Sequence, residues 1–248
     1  MTEAKHSPHI SIRAEELFHI GTFPITNSLI AGSIVTIILM LGVFYYNYLV
    51  QTGKKNGFYY IINLIMNALV GLFQPILGKH MDVFFPWVGS FFFFILLQNW
   101  FGLLPGVNSV MITLQEGEKA PLLRGATADL NMTVALSLVA VILVQFYGIK
   151  ILGFKEYMGK FLNFSNPLNF VIGLLEIISE FSRILSYSFR LFGNIFAGEV
   201  LLAIMAFLFP FGLTLPFFFM EIFVGFIQAI VFAMLVAVFI NLAIQKHH

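Results

Sequence analysis

The stretch SYSFRLFGNIFAGE, residues 186–199, lies inside an apolar run that extends from residue 167 to residue 209. It carries one arginine, Arg190, and one acid, Glu199, with no charged residue between them. As a helix the run is about 64 Å long, at about 1.5 Å per residue, whereas the hydrocarbon core of a bilayer is about 30 Å thick. The sequence leaves two arrangements open: a break near Gly193, or a continuous helix that is strongly tilted in the membrane.

The rest of the chain has the composition of a membrane protein. Of its 248 residues, 59% are hydrophobic and only 10% are charged, whereas a soluble domain is about 45–50% apolar and about 25% charged. Apolar segments recur at the length of a membrane span: 29–50, 58–77, 84–104, 131–153, 167–209 and 215–245. We therefore expect an all-α polytopic membrane protein. The absence of cysteine excludes disulfides and thiolate chemistry.

The segment 58–77 differs from the other five. Asn63, Asn67 and Gln74 recur at helical spacing in it, and a proline lies near its end. Such a polar stripe is typical of a helix that lies along the membrane interface. The sequence therefore predicts five transmembrane helices plus one interfacial amphipathic helix, and the last two spanning helices form a long, strongly tilted hairpin.

The distribution of basic residues predicts the orientation and the domains. With the N-terminus outside, seven lysines fall on the inner side and four basic residues on the outer side, so the C-terminus is predicted to be cytoplasmic. Residues 1–28 form a polar tail on the outer side without the features of a signal peptide, and AEELFHI (14–20) in it suggests a short surface helix. Residues 29–248 form a single transmembrane domain, in which the hairpin 167–245 is the ion-translocating part.

Polar residues in the hairpin follow a helical pattern. Spacings of 4, 3, 4, 3 and 4 place six of them on one helix face: Glu176, Glu180, Arg183, Tyr187, Arg190 and Asn194. Glu199 lies nine residues after Arg190, about 180° around the helix, so it faces away from this stripe. In an antiparallel pair, facing residues have position numbers with a nearly constant sum. This register brings Glu199 near Glu221 and Arg190 level with Gln228.

These positions suggest two proton pathways that do not join. A charged arginine at the middle of a membrane costs roughly 2.5–3.5 kcal/mol on insertion scales and cannot be deprotonated. Glu176 and Glu180 lie toward the inner side of Arg190, and Glu199 and Glu221 lie toward the outer side. A cation would be repelled at the arginine and would need a carboxylate on a moving partner to pass it. A purely structural reading, in which Glu176, Glu180 and Arg183 form ion pairs, stays open.

The motifs of this region carry a family resemblance. SFRLFGNIFAGE (188–199), NWFGLLPG (99–106), TADLNMTVALSL (127–138) and NPLNFVIGLLEIISEFSRILSYSFRLFGN (166–194) resemble subunit a of the F-type rotary ATP synthase, over roughly residues 20–245. The resemblance implies a stator subunit that provides two half-channels for proton translocation to and from a rotating ring of c subunits. Its implied partners are the c-ring, the b subunits of the peripheral stalk, the lipid bilayer and H⁺, with Na⁺ possible.

The resemblance also implies roles for single residues. Arg190 matches the essential arginine that separates the half-channels. Asn194, Gln228, Glu199, Glu221 and Glu176 match positions of the proton pathway, and Glu180 is added to the inner side on its spacing alone. Asp129 falls in a motif of the outer loop, where a structural role and an entry role are both open. The position of Glu221 carries histidine in some relatives, whereas this chain has acids at both Glu199 and Glu221. Two neighbouring acids titrate as a coupled pair. The relay proton is therefore assigned to neither of them.

Two other function classes remain as alternatives: a free-standing cation transporter or channel, and a structural membrane scaffold. Nucleotide-binding glycine motifs and the HExxH zinc motif do not occur in the sequence. We therefore expect no enzymatic activity of the chain on its own, no cofactor, no metal site, no bound nucleotide and no nucleic acid. The bacterial plasma membrane is favoured over an organellar inner membrane.

Overall fold

The computed structural model describes residues 14–104, 106–107, 110–113, 119–161, 167–209, 212 and 214–245. Seven α-helices account for most of them: α1 Asn27–Thr52, α2 Gly57–Leu77, α3 Met81–Gly102, α4 Leu130–Leu152, α5 Phe154–Met158, α6 Pro167–Leu208 and α7 Thr214–Ala243. Single 3-10 turns, Gly78–His80 and Ala126–Ala128, precede α3 and α4. Four short strands form two antiparallel hairpins: β1 Glu16–Ile20 with β2 Phe23–Thr26, and β3 Met111–Thr113 with β4 Lys119–Pro121.

The predicted fold class is confirmed. In the described part of the chain, five helical stretches are long and apolar enough to cross a membrane: Asn27–Thr52, Gly57–Gly102, Leu130–Leu152, Leu168–Leu208 and Thr214–Ala243. The second of these joins α2 and α3, which Gly78 separates with a left-handed backbone (φ 51°). Leu69, Phe73 and Leu77 form the buried stripe of α2. The interfacial position of α2 stays a prediction.

The segment before α1 differs from its predicted local structure. The surface helix suggested by AEELFHI is wrong, because Glu16–Ile20 is a strand that pairs with Phe23–Thr26 across a turn at Gly21, where φ is 65°. The helix-forming residues at its start are outweighed by this pairing of aromatic and β-branched residues. α1 begins at Asn27, and both Asn27 and Ser28 are buried. The described end of the N-terminal tail is therefore held by the rest of the chain, and residues 1–13 lie outside the described residues.

Helix α6 is continuous from Pro167 to Leu208, over 42 residues. The alternative of a break near Gly193 is therefore wrong. A single glycine inside a helix costs only about 1 kcal/mol relative to alanine, and apolar residues that favour helix surround it on both sides. Its strong tilt stays a prediction, as does the hairpin turn, because residues 210, 211 and 213 lie outside the described residues.

The chain divides into two compact units, and five of its long helices pass from one unit to the other. The first unit takes its described residues from Met1–Gly42, Phe94–Thr133 and Arg190–Ala229. Small residues allow close packing in it: a Cβ atom on Gly102 would lie 3.2 Å from the Cα atom of Gly125, and one on Gly32 would lie 3.3 Å from the Cβ atom of Ala126. These small residues let the segment before α4 approach the backbones of α1 and α3 closely.

The second unit takes its described residues from Val43–Phe93, Val134–Phe189 and Ile230–His248. Its core is aromatic: Phe84 meets Tyr147 edge to face, with ring centroids 4.9 Å apart. The indole nitrogen of Trp87 donates to the hydroxyl of Tyr147 at 2.9 Å. The unit carries the first part of α6, on which the predicted inner-side acids lie.

Candidate functional site

The inner-side acids of α6 lie beside an arginine of the same helix. Arg183 donates to Glu180 through Nη1, and its Nη2 atom lies 3.6 Å from Oε1 of Glu176. Its guanidinium carbon lies 4.3 Å from the centroid of the Phe239 ring on α7. The ion pair between Glu180 and Arg183 that the spacing of three residues suggested is therefore confirmed, and the contact with Glu176 spans seven residues. Arg183 supplies the positive charge that two carboxylates on one helix face need.

A short turn packs against this inner cluster. Tyr157 of α5 is buried, and its hydroxyl donates to Oε1 of Gln145 at 2.6 Å. Burial raises the pKa of Tyr157 to about 12, and the negative charge of Glu180 adds to the shift. Lys160 lies nearby, donates to the carbonyl of Ala243 at 3.4 Å, and has its pKa lowered, chiefly by burial. The turn therefore contributes a hydroxyl that stays neutral and a lysine near the inner acids.

The predicted central residues all belong to the first unit. Arg190 and Gln228 are half-buried and Asn194 is exposed. Arg190 lies on α6 and Gln228 on α7. The predicted contact between the guanidinium of Arg190 and the amide of Gln228 stays a prediction.

The register of the outer half of the hairpin agrees with the one expected from the turn. A Cβ atom on Gly198 would overlap the carboxyl group of Glu221, so this carboxyl lies directly against the α6 backbone next to Glu199. Glu221 is only 4% exposed. Two hydrogen bonds from α3 fix α7 close to it: Trp100 Nε1 to the carbonyl of Ile222 and Asn99 Nδ2 to the carbonyl of Gly225, both at 3.0 Å. These amide and indole donors therefore hold Glu221 in position.

Glu199 has a partner that the sequence analysis missed. Arg124, in the loop before α4, donates to Oε2 of Glu199 from Nε at 3.3 Å and from Nη2 at 3.2 Å. Arg124 is 4% exposed, and its guanidinium carbon lies 5.9 Å from the ring centroid of Phe196, one turn before Glu199. The signal that could have identified it is a lone basic residue inside the apolar stretch APLLRGATA, residues 120–128. A charge in such surroundings is seldom buried without a counter-ion.

Asp129 occupies a junction between three segments. Its Oδ2 atom accepts a hydrogen bond from Ser28 Oγ at 2.7 Å, and its Oδ1 atom accepts from the backbone N–H of Asn131 at 3.0 Å. The neighbouring Asn27 donates to the carbonyl of Pro121 at 3.1 Å and to Oε2 of Glu15 at 3.0 Å. The two oxygens of the Asp129 carboxyl group therefore accept hydrogen bonds from the start of α1 and from the start of α4. These hydrogen bonds support a structural role for Asp129.

Comparisons with known proteins identify the family of the chain. The chain matches the family described as ATP synthase A chain over residues 29–241. It is 31% identical over 240 residues to the ATP synthase subunit a of Moorella thermoacetica, which covers 95% of this chain and 99% of that relative. The two alternative function classes are not favoured by these matches. The chain belongs to the ATP synthase A chain family, the proton-translocating stator subunits of F-type ATP synthases.

Proposed function

We propose that this chain carries protons along two pathways that end on opposite sides of Arg190, and that a ring of c subunits carries each proton from one pathway to the other. Glu199 and Glu221 form the outer pathway, and Glu176 and Glu180 form the inner one. Asn194 and Gln228 flank Arg190 on α6 and α7. Asp129 holds the outer loop that borders the outer pathway.

The observation that carries this proposal is the continuity of α6. One unbroken helix, Pro167–Leu208, bears the inner acids, Arg190 and Glu199. Arg190 follows Glu176 by 14 residues and precedes Glu199 by nine residues in this helix. A fixed positive charge therefore lies between the inner acids and Glu199 in the order of the chain.

The charge of Arg190 accounts for the coupling between proton transfer and the turning of the ring. Its guanidinium keeps its proton at any physiological pH, so a free cation that enters from either side meets repulsion. A carboxylate on the ring is neutral while it faces lipid and ionised while it lies opposite Arg190. It therefore loads a proton from one pathway and releases it into the other as the ring turns. A membrane potential drives this step with about 2.3 kcal/mol per charge per 100 mV.

The partners and the orientation follow from the same proposal. The c-ring meets the α6–α7 hairpin, and the b subunits of the peripheral stalk hold the chain against rotation. The N-terminus lies outside and the C-terminus in the cytoplasm, because this orientation leaves more lysines on the inner side. The match to a bacterial relative supports a location in a bacterial plasma membrane.

The experiment is the Arg190→Ala variant of the whole complex in membrane vesicles. We expect ATP-driven proton pumping to be lost, ATP hydrolysis to persist and the passive proton leak to rise. The control is Lys79→Ala, which removes a positive charge at an exposed position and should leave all three rates unchanged. Pumping that survives in Arg190→Ala would overturn the proposal.

A second measurement separates this proposal from a free-standing channel. The purified chain, reconstituted alone into liposomes with an imposed potential, should pass few protons, because the ring that carries them past Arg190 is absent. Proton flux through the isolated chain at the rate of the whole complex would favour a channel instead.

A further inference from the structure

The two inner acids share one arginine but contact it differently. Nη1 of Arg183 donates a hydrogen bond to Oε1 of Glu180. Nη2 of Arg183 lies 3.6 Å from Oε1 of Glu176, which is too long for a hydrogen bond. The side chain of Glu176 is 39% exposed, whereas that of Glu180 is 15% exposed. Glu180 is therefore the closer and more buried counter-ion of this guanidinium.

The carboxyl group of Glu180 also interacts with the side chain of Gln145 on α4. Oε2 of Glu180 is buried, and no hydrogen bond to it is found among the described residues. A carboxylate can only accept hydrogen bonds, so the amide nitrogen of Gln145 is the end of this side chain that stabilises it. The amide oxygen of Gln145 accepts the hydrogen bond from the hydroxyl of Tyr157 at 2.6 Å. Tyr157 therefore holds the amide with its nitrogen toward Glu180.

Close packing fixes the position of Tyr157. A Cβ atom on Gly148 of α4 would overlap the ring of Tyr157, and one on Gly173 of α6 would overlap the carbonyl of Phe161 in the same turn. Tyr157 is buried, and because burial raises its pKa to about 12, the hydroxyl keeps its proton at physiological pH. The turn after α4 therefore presents a hydrogen-bond donor at a fixed place beside Gln145.

Two positive charges act on the two inner acids. One is the guanidinium of Arg183, and the other is the ammonium group of Lys160, which acts on both acids from the end of the turn. When Glu176 takes up a proton, Glu180 still balances the guanidinium. Without Glu180, Glu176 would have to balance it alone, and a neighbouring positive charge opposes the protonation of an acid.

We propose that Glu180 is the fixed counter-ion of Arg183, and that Gln145 is a positioning residue that keeps Glu180 in this role. Tyr157 acts on Glu180 through Gln145. The inference rests on the proposed function and deepens it, because it gives the two inner acids different tasks. Glu180 cancels the charge of Arg183, which leaves Glu176 to exchange protons along the inner pathway.

This role concerns the order of charges along α6. Arg183 precedes Arg190 by seven residues in the helix, and an unbalanced guanidinium there would repel protons before they reach the ring. Glu180→Gln creates this unbalanced charge. The double variant Arg183→Gln with Glu180→Gln removes both charges and leaves Glu176 and Arg190 in place. The proposal therefore predicts that the second substitution offsets the first.

The test measures ATP-driven proton pumping per assembled complex in vesicles, with the amount of complex determined in the same membranes. We expect Glu180→Gln to lower the rate by about tenfold, and the double variant to recover to within about threefold of the unchanged complex. Lys79→Gln, which removes a charge at an exposed position, is the control and should pump normally. A double variant as slow as Glu180→Gln would overturn the inference, because Glu180 would then be needed for more than balancing Arg183.

Gln145→Leu tests the positioning role separately. This variant removes the amide group and keeps a side chain of similar size. We expect the rate per complex to fall by about threefold in the otherwise unchanged chain and not to fall further in the double variant, where no charge is left to position. Gln51→Leu, at an exposed position of α1, is the matched control. A merely structural role of Gln145 would lower the rate by the same factor in both backgrounds, and that result would overturn the assignment.

A second substitution at Arg183 keeps the test decisive if Arg183→Gln does not assemble. Arg183→Met carries no charge, and its side chain can still pack on the ring of Phe239 that the guanidinium contacts. The same recovery is expected with Glu180→Gln, and its failure would contradict the proposal. If Arg190→Ala abolishes pumping but this recovery fails, only the assignment of Glu180 is wrong. If Arg190→Ala pumps, the two-pathway mechanism itself fails.

Discussion

The carboxyl group of Glu221 on α7 lies in the space beside Gly198 on α6 that the Cβ atom of any other residue would occupy. Gly198 directly precedes Glu199, so this contact sets how closely the two outer acids approach. Glycine is required there by the neighbouring carboxyl group and not by the backbone, because Gly198 lies inside a regular helix.

Gly198→Ala is therefore expected to displace the carboxyl group of Glu221. The new methyl group and the carboxyl group cannot occupy the same space, and the proposed outer pathway includes Glu221. We expect ATP-driven pumping per complex to fall by about tenfold. Gly42→Ala is the control, since its Cβ atom would meet nothing within 4 Å. Equal pumping by both variants would contradict a functional role for this contact.

Tyr157→Phe should destabilise the second unit. The variant removes the hydroxyl that donates to Gln145. It leaves a part-buried acceptor without its hydrogen bond, which costs about 1–3 kcal/mol of stability. The measurement is the temperature at which the detergent-solubilised complex dissociates, with Tyr48→Phe, at an exposed position, as the control. An unchanged dissociation temperature would show that the hydrogen bond contributes little.

The stability difference between the unchanged chain and Tyr157→Phe depends on pH with a definite sign. Because the pKa of Tyr157 is raised to about 12, its neutral form is favoured in the folded state. The stabilisation is therefore fully present below the ordinary pKa of about 10 and is lost as the pH rises through about 12. The stability difference between the unchanged chain and Tyr157→Phe should stay constant from neutral pH to about pH 9. A difference that declines within that range would contradict the raised pKa.

Gly173→Ala should lower the amount of assembled chain. A Cβ atom at this position of α6 would overlap the backbone carbonyl of Phe161, in the turn after α5. A backbone carbonyl cannot rotate away as the end of a side chain can, so the turn must move as a whole. Quantifying the chain in membranes against Gly71→Ala, which has open space around it, measures the effect. Similar amounts of both variants would show that the turn yields easily.

Ser28→Ala should loosen the junction at Asp129. The variant removes the hydroxyl that donates to Oδ2 of Asp129 at 2.7 Å. The buried carboxyl group then has one fewer hydrogen bond, which costs about 1–3 kcal/mol of stability. Ser33→Ala removes a hydroxyl that bonds only within its own helix, at an exposed position. We expect a lower dissociation temperature for Ser28→Ala than for Ser33→Ala. The reverse order would remove the support for a structural role of Asp129.

Local patterns predicted much of this fold and part of the site. Apolar runs of the right length identified the spanning helices, because the membrane requires each backbone group to bond within its own helix. Helical spacing placed Arg183 beside Glu180, three residues away. The constant-sum rule placed Glu221 next to the turn of α6 that carries Glu199, since an antiparallel hairpin has few possible registers.

Contacts between distant segments could not be predicted in the same way. Arg124 and Glu199 are 75 residues apart, and neither spacing nor composition relates a loop to a helix over that distance. AEEL has helix-forming residues, but its structure depends on a partner strand. Gly193 suggested a break in α6, whereas the surrounding apolar residues favour helix strongly enough to continue it.

The first two residues of α1 depend on segments that come much later in the chain. Asn27 bonds to a carbonyl 94 residues further on, and Ser28 to a carboxylate 101 residues further on. While the chain is being made, these two hydrogen bonds cannot form until the loop before α4 has emerged. The first helix can thus enter the membrane early, but its end becomes fixed only when more than half of the chain has been synthesised.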